Sequence, residues 1–143
     1  MTVSLFGHRN IPYSLTEKIE KTLESLIENL GANRFYVGCN GEFDFVAIRA
    51  LKNLKDKHPE IDVCIVLAYM PKSNYINFGL DTMLPEAAAR SIPRFAIIAR
   101  NRWMVEVSDV VVTYVTRSFG GAAKAKSLAI AANKTVIELS KHN

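Results

Sequence analysis

The sequence lacks the features that mark secreted, membrane-spanning and metal-stapled proteins. Its start meets glycine and charge by Gly7 and Arg9, so no secretion signal is evident. The longest apolar runs, such as residues 63–70, are far too short to span a bilayer. The two cysteines, Cys39 and Cys64, show no metal-ligand spacing, which favours free thiols. We therefore expect a soluble, cytoplasmic protein with no metal site and no cofactor.

Strong charge of either sign is also absent. The 143 residues carry a formal net charge of +4, and no basic block occurs among them. A mild positive charge suits an anionic small ligand, whereas the missing basic block argues against a nucleic-acid partner. Hydrophobic residues make up 49% of the chain, enough for a core without disulfides. We expect one domain over residues 1–143 and leave open whether it forms a homo-oligomer.

Apolar periodicity and turn residues predict strands that alternate with helices. The predicted strands cover residues 2–6, 35–39, 62–69, 110–115 and 135–139. Helices are predicted to follow Ser14, to run from Glu42 to about Lys57, and to cover 96–107 and 121–133. Ser14 and Glu17 match a capping box, and Gly31 is placed to end the first helix. Residues 70–93 lack a clear period and predict an irregular segment with a short helix near 85–90.

About five strands in this order predict a single Rossmann-like, three-layer α/β domain with a mainly parallel sheet. Ligands of such sheets bind beyond the carboxyl ends of the strands, near the point where the strand order switches. The residues that follow each strand are therefore the candidates for a functional site.

The first strand is followed by Gly7, His8 and Arg9. Glycine permits close approach of the backbone to a ligand, and the histidine and arginine can donate to phosphate or to a base edge. A hydrogen-bonded histidine in an ordinary loop is the alternative for His8. These three residues are predicted to contact the ligand.

The second strand leads into a glycine turn that contains Gly38, Asn40 and Gly41. Glu42 and Asp44 follow in the first turn of a helix, where they complement the helix dipole and would repel phosphate. The dipole alone accounts for Asp44. We expect Glu42 to accept hydrogen bonds from ribose hydroxyls or a base, or to act as a general base.

The fourth predicted strand leads into the better phosphate site. The helix after it begins at a Gly-Gly pair, has no acidic residue in its first turns, and carries lysines soon afterwards. Free backbone N–H groups at such a helix start attract anions. The predicted ligand contacts here are Ser118, Gly120, Gly121 and Ala122. From the preceding helix, Arg100 and Asn101 are predicted to point into the same crevice.

Together these motifs resemble the SLOG superfamily, which joins the DNA-processing Smf/DprA proteins to the lonely guy phosphoribohydrolases. The resemblance covers almost the whole chain and rests on Phe6-Gly7-His8-Arg9, Gly38-x-x-Gly41-Glu42-x-Asp44, Arg100-Asn101-x-x-Met104, Ser108-Asp109 and Gly120-Gly121-Ala122. The lonely guy enzymes cleave the N-glycosidic bond of a nucleoside monophosphate. Arg100, Ser108, Asp109, Gly120 and Gly121 match their pattern, but Ser127 stands where their catalytic glutamate lies. The loop from Gly38 to Asp44 is more similar to that of the DNA-processing branch.

Three hypotheses follow from the residues and the resemblance. The first is a module that binds or senses a nucleotide or nucleotide-derived ligand. The second is an N-glycosidic hydrolase, in which Glu42 and Arg100 would be catalytic and Glu42 would activate water or stabilise the oxocarbenium ion. The third is single-stranded DNA binding, which the absence of an aromatic-basic stripe argues against.

Overall fold

Six strands and five helices make up the part of the chain that the computed structural model describes, residues 1–70 and 79–141. The strands are β1 (Thr2–Gly7), β2 (Arg34–Val37), β3 (Asp62–Val66), β4 (Asp81–Met83), β5 (Val110–Tyr114) and β6 (Thr135–Glu138). The helices are α1 (Leu15–Leu30), α2 (Glu42–Lys57), α3 (Glu86–Ala89), α4 (Pro93–Glu106) and α5 (Gly121–Ala131). The predicted alternation of strands and helices is confirmed.

All six strands are parallel and lie in the order β4-β3-β2-β1-β5-β6. The chain builds outward from β1 to β4 at one edge, then returns so that β5 pairs with the other side of β1, with Leu5 opposite Val112. The strand order therefore reverses between β1 and β5. In parallel sheets this switch opens a crevice at the carboxyl ends of the two strands.

Helices cover both faces of the sheet, as its apolar central strands require. Alternate residues of β1 point to opposite faces, so Val3 and Leu5 join the large core under α1 and α2, while Phe6 joins a smaller core under α4 and α5. The helix α5 contributes small side chains to the second core, namely Ala122, Ala125 and Ala129. The Rossmann-like three-layer fold is confirmed.

Two local expectations need correction. The sheet has a sixth strand, because Asp81–Met83 pairs with Cys64–Val66 inside the segment predicted to be irregular. Residues 71–78 of that segment lie outside the described residues. The capping box does not form, since Ser14 is itself helical and its side chain makes no capping hydrogen bond. Glu17 instead pairs with Lys21 one turn later.

Other local expectations hold. Gly31 ends α1 in the left-handed conformation, with φ of 73°, and its N–H donates to the Leu26 carbonyl. Cys39 and Cys64 are both free thiols, and burial raises the pKa of each, that of Cys64 to about 11. No helix within the described part of the chain is long and apolar enough to cross a membrane.

Candidate functional site

A cleft of about 320 Å³ opens at the carboxyl ends of β1 and β5, where the strand order reverses. The loops after β1, β2 and β5 form its walls together with one face of α4 and the start of α5. The cleft therefore occupies the position at which parallel sheets of this kind bind ligands.

Most of the residues predicted from the sequence meet at this cleft. Those that line it are Gly7, His8, Arg9, Gly38, Asn40, Gly41, Arg100, Asn101, Gly120, Gly121 and Ala122. Glu42 and Ser118 are exposed and do not belong to its lining. Asp44 and Arg117, which were not predicted as ligand contacts, do line it.

Glu42 and Asp44 lie on different sides of α2. Residues two positions apart on a helix differ by roughly 200° in direction, so both cannot face one cavity. Asp44 faces the cleft, whereas Glu42 lines a separate groove beyond it. Among the described residues that line the cleft, Asp44 is the one carboxylate. The hydrolase hypothesis requires Glu42 beside the ligand, and Glu42 does not line the cleft.

Arg100 is buried, and hydrogen bonds to two protein oxygen atoms hold its guanidinium in place. Its Nη1 donates to the Val66 carbonyl at 3.0 Å, and its Nε donates to Oδ1 of Asn101 at 2.8 Å. A Cβ at Gly38 would lie 2.8 Å from Nη1 of Arg100 and 2.9 Å from Oδ2 of Asp44. Gly38 therefore allows the guanidinium and the carboxylate to approach each other beside the cleft.

Asp44 and Asn40 place hydrogen-bond acceptors on the same wall. Oδ2 of Asp44 accepts the Asn40 N–H at 2.9 Å. Burial raises the pKa of the Asp44 carboxyl, opposed by this hydrogen bond and by the charges of Arg100 and Arg9. Within the described part of the chain, Oδ1 of Asn40 is buried and has no hydrogen-bond partner. A buried acceptor without a partner is costly and marks a place where a ligand donor or water binds.

His8 joins the loops that follow β1 and β5. The residue is 4% exposed, and its Nε2 accepts the Thr116 N–H at 3.0 Å. Burial lowers the pKa of His8, and the nearby charge of Arg117 lowers it further, against a smaller opposing effect of Glu138. A neutral ring that accepts at Nε2 carries its proton on Nδ1. The hydrogen-bonded alternative for His8 is therefore what the structure shows, at a position that also lines the cleft.

The start of α5 presents backbone N–H groups without a competing acid. Gly120 has φ of 99°, a conformation that favours glycine, and the first turn contains no acidic residue. Arg117 lines the cleft next to this helix start, and its guanidinium lies 4.8 Å above the centre of the Phe119 ring. Lys126 points elsewhere, since it donates to Glu138 at 2.9 Å. Together these groups make this wall of the cleft electropositive.

The Ser108-Asp109 pair of the resemblance has partners away from the cleft. Oγ of Ser108 donates a hydrogen bond to the Met104 carbonyl at 2.6 Å, and Oδ2 of Asp109 accepts one from the Thr2 N–H at 2.8 Å. Thr2 is the first residue of β1, so it lies at the amino-terminal end of the strand, whereas the cleft lies at the carboxyl end. The pair ties α4 and β5 to the start of β1.

No protein-family model matches the chain, and no curated protein matches its sequence. A solved structure of DNA processing protein A from Helicobacter pylori, described for its single-stranded DNA binding mode, superposes with a TM-score of 0.69 at 18% identity. The match covers 99% of this chain and 66% of that protein, so the chain spans just under two thirds of its length. At this identity the likeness shows a shared fold.

This likeness agrees, at the level of the fold, with the DNA-processing branch of the sequence resemblance. It also corrects the expectation about partners. The argument against nucleic acid rested on the absence of a basic block in the sequence. A protein with the same fold binds single-stranded DNA, so that expectation is wrong.

Proposed function

We propose that the cleft binds the phosphate-bearing part of a nucleotide. The observation that carries this proposal is the acid-free start of α5 at Gly120 and Gly121, which opens on the cleft beside Arg117. Backbone N–H groups at a helix start bind phosphate, and a forked guanidinium adds charge-assisted hydrogen bonds. Arg9 lines the same cleft and adds a second exposed cation.

The opposite wall suits the sugar or base. Oδ1 of Asn40 and the carboxylate of Asp44 are acceptors, and both residues line the cleft. A nucleotide supplies the matching donors from its sugar hydroxyls or from a base edge. In this proposal Asp44 and Asn40 take the role that the sequence gave to Glu42. Arg100 supports that wall from beneath, held by Val66 and Asn101.

Single-stranded DNA is the second candidate ligand, and a specific observation favours it. Exposed aromatic rings accompany the arginines of the cleft. Phe119 is 66% exposed, with the Arg117 guanidinium above its ring, and Tyr13 is 94% exposed in the loop that also carries Arg9. Single-stranded DNA binders combine cations for the backbone with rings on which bases stack. The fold of the solved neighbour supports the same candidate.

Replacing Gly121 with aspartate tests phosphate binding. The new carboxylate would occupy the helix start and repel phosphate, so we expect affinity for thymidine monophosphate and for octathymidylate to fall at least about tenfold, or about 1.4 kcal/mol. Isothermal titration calorimetry measures both. Gly121→Ala is the matched control, because its Cβ would meet only Nδ2 of Asn101, at 3.7 Å.

The control should bind both ligands as the parent does. If Gly121→Asp folds and binds both ligands with parental affinity, the phosphate does not bind at this helix start. A parent protein that binds neither ligand would overturn the proposal itself.

A further inference from the structure

A second and larger depression, of about 670 Å³, is lined by the loop that follows β1, the start of α1 and one side of α2, and we call it the groove. Its lining includes the apolar side chains of Tyr13, Phe45 and Val46 and the charged side chains of Glu42 and Arg49. Tyr13 is 94% exposed. The proposed function uses Arg9 and Tyr13 from this surface but assigns the groove itself no ligand, although the groove contains Glu42, the acid that the sequence singled out.

The groove and the cleft share a wall. Arg9 and Gly41 line both. The wall is thin because Gly41 has no side chain, and a Cβ there would lie 3.0 Å from Cα of Arg9. The Glu42 N–H donates to the Arg9 carbonyl at 3.0 Å, which fixes the two loops against each other. A ligand that leaves the cleft over Arg9 therefore enters the groove directly.

The two depressions differ in charge. The described lining of the cleft has three arginines, Arg9, Arg100 and Arg117, against one carboxylate. The groove has two arginines, Arg9 and Arg49, against Glu20 and Glu42. A balanced, partly apolar surface offers no net attraction for phosphate, but it suits a neutral aromatic base whose edge carries hydrogen-bond donors and acceptors.

We propose that the groove is a second subsite, in which Tyr13 stacks against the base of the nucleotide adjoining the one held in the cleft. Arg9, between the two depressions, contacts the phosphate that links them. The inference rests on the proposed function of the cleft and narrows its ligand to a single-stranded oligonucleotide. It also gives Glu42 a role, as an acceptor for an N–H group on the edge of the stacked base.

A length series tests the second subsite. Thymidine monophosphate and tetrathymidylate are titrated into the parent protein, Tyr13→Ala, Phe95→Ala and Gly121→Asp, with calorimetric detection. Phe95 is the matched control, because it is an exposed ring with an arginine, Arg94, 4.8 Å from its centre, and it lines neither depression. Stacking of one base accounts for about tenfold in affinity.

We expect the parent and Phe95→Ala to bind tetrathymidylate at least about tenfold more tightly than the monophosphate. Tyr13→Ala should lose that gain and keep the parental affinity for the monophosphate. Parental tetrathymidylate affinity in Tyr13→Ala would overturn the second subsite and leave the cleft proposal intact. An equal loss for both ligands would also overturn it, since Tyr13 would then belong to the first site. Parental tetrathymidylate affinity in Gly121→Asp would overturn the cleft proposal instead.

Discussion

Replacing Gly7 with alanine is expected to lower the free energy of unfolding by about 3 kcal/mol or more. The added Cβ would lie 2.6 Å from Cδ1 of Phe43 and closer still to two other ring atoms. Phe43 lies in the first turn of α2 and is fully buried, so its ring cannot move aside without disturbing the core. Gly7 was predicted to allow close approach of a ligand. Gly7 does line the cleft, but the main reason for glycine at this position is that the Phe43 ring packs directly against the end of β1.

Chemical denaturation of Gly7→Ala, Phe43→Leu and the double variant measures this coupling. Because a leucine leaves room for the new methyl group, the cost of Gly7→Ala should shrink markedly in the Phe43→Leu background. Gly121→Ala, whose new Cβ makes only an ordinary contact, should retain the parental stability. Costs that simply add in the double variant would show that the ring does not require glycine at position 7.

Glu138→Gln is expected to destabilise the fold by roughly 3 kcal/mol at neutral pH. The Glu138 side chain is 5% exposed and accepts hydrogen bonds from Thr113, Lys126, Val115 and Ser140. Burial alone would raise the pKa of Glu138, but these hydrogen bonds outweigh it and lower the pKa from 4.5 to about 2. The ionised carboxylate ties β6 to the end of β5, directly before the loop that forms the phosphate wall.

The pH dependence follows from the sign of this shift. Because the pKa is lower in the folded state, the stabilisation is complete above about pH 4.5 and disappears as the pH falls through about 2. The stability gap between parent and Glu138→Gln, measured by urea denaturation from about pH 6 to pH 3, should therefore narrow with acid. Protonation of buried His8 also destabilises the fold in acid, because its pKa is lowered. This effect is present in both proteins, so most of it cancels when the stability of the variant is subtracted from that of the parent. Glu17→Gln, which removes only an exposed ion pair, should leave stability essentially unchanged. A gap that stays constant with pH would contradict the ionised network.

The sequence predicted the location of the cleft because strand ends and glycines are local signals. A parallel sheet brings the residues after every strand to one edge, so Gly7, Gly38 and Gly120 meet without any contact being known in advance. The sixth strand escaped prediction because β4 has three residues and sits in a segment with no period. Its strand character comes from pairing with β3, a tertiary effect.

The sequence carries enough information to show which of Glu42 and Asp44 faces the cleft. Helical phase alone separates the two, and the inward position of Phe43 between them could have set that phase. The combination of exposed arginines and aromatic rings beside the cleft was harder to predict. Arg9 and Tyr13 come from one loop, and Arg117 and Phe119 come from another more than a hundred residues away. No continuous aromatic-basic stripe occurs in the sequence, because these residues come together only when the chain folds.

The most direct test of phosphate binding is a titration of isotopically labelled protein with thymidine monophosphate, followed by backbone amide chemical shifts. Thymidine, which lacks the phosphate, is the control ligand. We expect saturable shifts of the Gly120, Gly121 and Ala122 amides with the monophosphate, and much smaller shifts of these amides with thymidine. Saturable binding that leaves these three amides unmoved, or equal shifts with thymidine, would contradict a phosphate site at the start of α5.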